Sequence, residues 1–186
     1  MKKRSIGILL AGLLVVSAAI GGTAAWLTDA KEATNTFIVG DLEIDLEEPN
    51  WNDNQKIYPG VEIPKNPEVT VKAGSEECYV FVSVDNKLAS VTNLDISDDW
   101  KDVAQEGNKV LYKYKETVNA LAEEKVLTDV FTKVSVGDGV TREQLRALSG
   151  NDQQIIIKAY AHQVEETTYE TALANAKSSL GFTAGL

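Results

Sequence analysis

Gln154-Ile155-Ile156-Ile157-Lys158-Ala159-Tyr160-Ala161-His162-Gln163-Val164 is the stretch on which the fold reading turns. Ile155, Ile157, Ala159 and Ala161 fall on one face, and Ile156, Tyr160 and Val164 are among the residues on the other. That period of two is what a strand imposes and a helix does not. A second run, Cys78 to Val84, is apolar on both faces, as expected of a central strand between two layers.

Working outward, Phe37 to Glu47 reads as a strand after Gly40, with Leu42, Ile44 and Leu46 inward and Asp41, Glu43, Asp45 and Glu47 in water. Pro49 to Asn54 and Tyr58-Pro59-Gly60 carry turn chemistry, and Pro64 and Pro67 mark the next segment as loop or edge. Glu68 to Lys72 alternates, and Ala73-Gly74-Ser75 turns into Cys78–Val84, which together predict a hairpin. Val110 to Tyr114 and Val126 to Val136 read as further strands. Helical pattern is short: Thr141 to Leu148 opens on an N-cap and stops at Gly150, and Tyr169 to Leu180 ends at Gly181. The pattern predicts an all-β, antiparallel β-sandwich with one or two short peripheral helices.

The N-terminus has a different composition. Three basic residues, Lys2, Lys3 and Arg4, precede the uncharged stretch Ile6 to Ile20, then Gly21-Gly22 and the small residues Thr23, Ala24 and Ala25. This predicts a secretory signal peptide over residues 1–25, cut between Ala25 and Trp26 with Thr23 at −3, and a single secreted domain over 26–186. The alternative is a retained anchor from Ile6 to Leu27, about 33 Å of helix and long enough to span a bilayer. Either way the domain lies outside, because the basic end stays cytoplasmic. The membrane is a partner only through an uncleaved signal.

The full chain has 18 basic and 28 acidic side chains and a formal charge of −10; residues 1–25 hold three of the bases and none of the acids, so the cleaved form carries −13. That charge argues against nucleic acid as a partner. Cys78 is the sole cysteine, so no intramolecular disulfide can form, and its place in an apolar run predicts a buried thiol.

No sequence motif calls for catalysis or a cofactor. His162 is the sole histidine, which excludes His-Glu-x-x-His, and neither Gly-x-Ser-x-Gly nor a Gly-rich phosphate loop occurs. The acids at Asp95, Asp98 and Asp99, and those from Asp41 to Glu47, lack the calcium-loop spacing. The alternating set reads as a solvated face that blunts an edge. The expectation is therefore no catalytic residue, no resident metal and no cofactor.

The basic start, the Gly-Gly-Thr-Ala-Ala junction, Trp26-Leu27-Thr28-Asp29 and Ala33-Thr34-Asn35-Thr36-Phe37-Ile38-Val39-Gly40-Asp41-Leu42 resemble the TasA and camelysin (CalY) family of Gram-positive bacteria. Signal peptides of that family are cut by a dedicated peptidase, SipW, before an aromatic residue closely followed by Asp. Trp26, Asp29, Asn35, Phe37 and Gly40 occupy the matching places here. The resemblance implies a jelly-roll-like sandwich and a subunit of extracellular fibres in the biofilm matrix, with copies of itself and other matrix proteins as partners and the signal peptidase met during export. Camelysin is also described as a metalloprotease, and the sequence departs from any zinc-peptidase pattern. Assembly by strand addition needs an extended segment with apolar anchors, for which Trp26, Leu27, Phe37 and Val39 are the candidates. The alternatives are a cell-surface domain that does not polymerise and a metalloendopeptidase.

Overall fold

The computed structural model describes residues 28–33 as backbone, and 42–51, 55–148, 153–165 and 167–183 with side chains. Along these residues run β1 (Thr28–Ala33), β2 (Ile44–Glu47), β3 (Glu62–Pro64), β4 (Glu68–Val71), β5 (Ser75–Asn86), β6 (Thr92–Leu94), β7 (Trp100–Glu106), β8 (Lys109–Tyr114), β9 (Val118–Ala120), β10 (Lys125–Val126), β11 (Lys133–Val136), α1 (Arg142–Ala147), β12 (Gln154–Gln163) and α2 (Tyr169–Ser179). The main sheet has the order β1-β12-β5-β8-β7, with β9 also on β5, and two three-stranded sheets have the orders β10-β4-β2 and β3-β11-β6. All pairs are antiparallel except β1 with β12. The architecture is an all-β sandwich with two short helices.

The two decisive stretches, β5 and β12, pair along most of their length, from Ile155 opposite Asn86 to Gln163 opposite Cys78. Their shared face carries Val80, Val82, Ile155 and Ile157 into one cluster with Ile44, Val69 and Val71 of one small sheet and Ile63 and Val134 of the other. On the opposite face Phe81, Leu111 and Tyr160 meet Ala172, Ala176 and Leu180 of α2 and its C-terminal end. The order of layers is small sheets, main sheet, helix. With no disulfide available, this burial holds the domain together; each large side chain withdrawn from water contributes about 1.5–3 kcal/mol.

Helix α2 starts where Thr168 accepts from the Thr171 N–H at 3.2 Å, and Glu170 and Lys177 complement the helix dipole at its two ends. Ala172 and Ala176, four residues apart, bring the helix close to the sheet. Gly181, at φ +72°, ends it. Helix α1 has the capping box of Thr141 and Gln144.

Two strand expectations are corrected. The turn before β5 does not make a hairpin, because β4 pairs with β10 and β2 while β5 pairs with β12, β8 and β9. Gly74 (φ +91°) instead carries the chain from one layer to the other. Stacked face to face, β4 and β5 bury Val69, Val71, Val80 and Val82 in one core, which edge pairing in a single layer would not achieve. The Val126–Val136 run is two strands, parted by residues 127–132. That link crosses between the small sheets, with Leu127, Val130 and Phe131 buried in the core.

β7 is a strand the alternation does not predict. Its register shifts between Asp102 and Ala104 opposite β8, and a bulge of that kind breaks the period of two.

At the junction of the small sheets, just after β2 and β3, Glu48 and Lys65 are almost wholly buried. Lys65 Nζ lies 2.5 Å from Glu48 Oε1 and 4.2 Å from the centre of the Trp51 ring. Asn66 accepts from the Asn50 N–H at 3.2 Å. Burial pushes the Asp129 carboxyl up, while a bond from Asn66 partly restrains it.

Candidate functional site

The outer edge of β12 is the place the N-terminal segment reaches. β1 lies parallel to β12 in continuous register, Thr28 opposite Gln154 through Ala33 opposite Ala159. β12 is its one strand partner among the described residues, so β1 forms an edge of the main sheet. Tyr160 to Gln163 continue past the end of that register along the same edge. A parallel edge strand is held by slanted ladder bonds that are slightly weaker per residue than antiparallel ones. None of the β5–β12 pairs depends on it.

The expected anchors Trp26, Leu27, Phe37 and Val39, and the expected cleavage residues Thr23, Ala25 and Trp26, lie outside the described residues. The structure brings between the anchors a strand that the sequence reading left unassigned. Thr28-Asp29-Ala30-Lys31-Glu32-Ala33 has no apolar alternation, so no sequence signal marks it. Its strand state comes from the ladder that β12 offers.

A second edge belongs to β2. Leu42 and Ile44 are buried, Glu43 and Glu47 are exposed, and β2 forms an edge of its small sheet. This matches the expected alternation where the residues are described. Asp45 pairs with Lys72 at 2.8 Å, and Glu47 lies in register with Glu68 of β4. Like charges at the end of an exposed edge oppose the docking of another strand.

The residues with ligand chemistry have other partners. His162 is buried near the end of β12, with Nδ1 3.0 Å from the Tyr160 hydroxyl and Nε2 3.3 Å from Thr167 Oγ1. Burial lowers its basicity. Cys78 is fully buried, and burial followed by Glu77 pushes its thiol up to about 12, far from a reactive thiolate.

Burial alone would raise the Asp95 carboxyl. The Thr132 hydroxyl and the Lys133 and Thr132 N–H groups outweigh it, leaving the group below its usual range. Asp99 is held down by the Thr128 hydroxyl at 2.7 Å and by Lys115 at 3.0 Å. Both acids tie loops together. A peptidase zinc takes about three protein ligands, mostly imidazole. Among the described residues no group of three or more His, Cys, Asp or Glu is gathered to hold a metal, and the single imidazole has a hydroxyl against each nitrogen. The described residues do not fit such a centre.

Among the described residues no helix is long and apolar enough to cross a membrane. A search of curated proteins finds no match. The model of the family described as camelysin metallo-endopeptidase matches residues 1–159, ending inside β12 so that α2 lies beyond it. With most of its length matched, from the basic N-terminus into the strand that anchors the main sheet, the chain belongs to the camelysin family.

Proposed function

We propose that this chain is an exported structural protein, a fibre subunit of a biofilm matrix that assembles with its own copies by lending its N-terminal strand to a neighbour. Family membership supports an exported protein, and the basic and apolar N-terminus supports cleavage near Trp26. The single observation that carries the assembly reading is β1, a polar strand docked in parallel on the outer edge of β12. An edge site of this kind accepts a strand through main-chain bonds whatever molecule supplies it. In the isolated subunit the site is filled by the chain's own segment. In a fibre the same segment, anchored by Trp26, Leu27, Phe37 and Val39, fills the site of the next subunit.

The same observation favours a second reading, a cell-surface domain that completes its own sheet and stays monomeric. The family's name raises a metalloendopeptidase, and the donor set around His162 argues against it, so we propose no peptidase activity. Electron microscopy of the secreted protein tests the first reading, together with a mixture of two isotopically distinct preparations cross-linked between β1 and β12. Filaments with cross-links between differently labelled subunits support strand exchange. Monomers with cross-links only within one label overturn it in favour of the second reading.

A further inference from the structure

Lys65 and Glu48 are a buried acid and amine that none of the functions above uses. Lys65 is 1% exposed, and the Glu48 side chain 3%. The ammonium nitrogen and the carboxylate oxygen are 2.5 Å apart. Apart from that contact, no hydrogen-bond donor among the described residues serves either Glu48 oxygen. Separate charges are costly in such a place, and an amine and carboxylic acid related by one proton transfer are favoured there more than in water. A desolvated neutral amine is also a nucleophile. Held against a carboxyl carbon that water cannot reach, it has the proximity that makes an intramolecular condensation competitive.

We propose that Lys65 and Glu48 are a modification site at which an intramolecular amide forms between Lys65 Nζ and Glu48 Cδ. The Nζ lone pair attacks Cδ and the C–N bond forms. One Glu48 C–O bond then breaks, and that oxygen leaves as water with two of the three ammonium hydrogens. No oxidant or other co-reactant is consumed. The bond joins the chain just after β2 to the chain just after β3, and so links two small sheets that share no strand pair. It gives a domain with a single cysteine the covalent cross-link that exported domains otherwise take from disulfides. The Trp51 ring beside Nζ screens the site from solvent. This inference concerns the subunit alone and holds whether or not the protein assembles.

The test is mass spectrometry of the purified full chain after complete denaturation and trypsin. The expected result is a branched product in which residues 32–56, carrying Glu48, are joined to 57–72, uncut after Lys65 and lighter than the two peptides together by one water. Lys65→Arg keeps the positive charge but cannot form this amide, and should release 32–56 as a linear peptide. Recovery from the wild-type chain of 57–65 and 66–72 as separate linear peptides, with Lys65 open to an amine reagent once the chain is unfolded, would show an ordinary ion pair and overturn the proposal.

Discussion

The two edges of the main sheet are built in different ways. At one end β7 is tied to β8 by antiparallel pairing, bulged at Asp102–Ala104, and anchored by Trp100, whose indole N–H donates to the Thr128 carbonyl at 2.8 Å and whose ring meets Tyr114 edge-on. Its far end is capped from the C-terminal segment, where the Thr183 hydroxyl and N–H donate to Glu106 at 2.6 and 3.1 Å. At the other end β1 rests in parallel on β12 alone. A bulged, charged, side-chain-locked edge resists pairing with another chain. An edge made by a short segment distant in sequence from its partner has none of these locks, and that is where the proposed exchange would act. The contrast teaches at which edge the loss of a strand would disturb the core least.

The strongest way to break the comparison is to remove the exchangeable edge. Deleting residues 26–39 from the mature protein should abolish filaments in electron microscopy while circular dichroism still reports the sandwich. Filaments from the truncated protein would end the strand-lending mechanism. The opposite result is expected at the fixed edge, where Trp100→Ala should cost about 3–5 kcal/mol in denaturant unfolding through lost packing.

A finer probe is the pair Ala30→Pro with Lys31→Pro. Alternate residues of an edge strand turn their N–H towards the neighbour, so one of the two prolines must remove a β1–β12 ladder bond. Filament yield should fall several-fold, with a much smaller change in thermal midpoint than Trp100→Ala produces.

Solution conditions should separate assembly from folding. If the chain is cut after Ala25 as expected, it carries −13 and its copies repel, so added salt, or acidification towards the ordinary carboxylate value of about 4, should speed filament growth. The fold should survive that change. The Thr183 hydroxyl and N–H hold Glu106 below its usual range, and Asp99 and Asp95 are also held low. Groups lowered by folding contribute stability above their unfolded values and lose it only as pH falls through the lower folded ones. Asp129, raised by burial, has the opposite sign and gains as pH falls. His162, lowered by burial, costs stability as pH drops below its unfolded value. Light scattering that is indifferent to both pH and salt would refute the electrostatic brake. The smallest effect is expected far from either edge: Thr168→Ala removes the cap of α2 and should cost about 1 kcal/mol in thermal unfolding.

Legibility in the sequence followed burial. β12 and β5 could be read because both faces of each are buried, so every residue obeys the sheet. The alternation of β2 was legible because one face is buried and the other meets water, and both helices were legible because their stops and caps are local chemistry. β7 was lost because a bulge shifts the phase. Lys65 gave no sign of its burial, since a lysine between Pro64 and Asn66 in a proline-marked segment reads as solvated loop.

What the sequence determined alone were the properties that depend on neighbours along the chain: strand period, helix caps, the lack of any disulfide, the charge, and a family signature at the N-terminus. Tertiary structure decided which strands share a sheet, that Gly74 changes layers instead of closing a hairpin, that a polar hexapeptide becomes β1, and that an acid and an amine meet in the dark between two sheets. Those outcomes depend on contacts between residues distant in the chain, and the local pattern is nearly indifferent to which distant partner it meets.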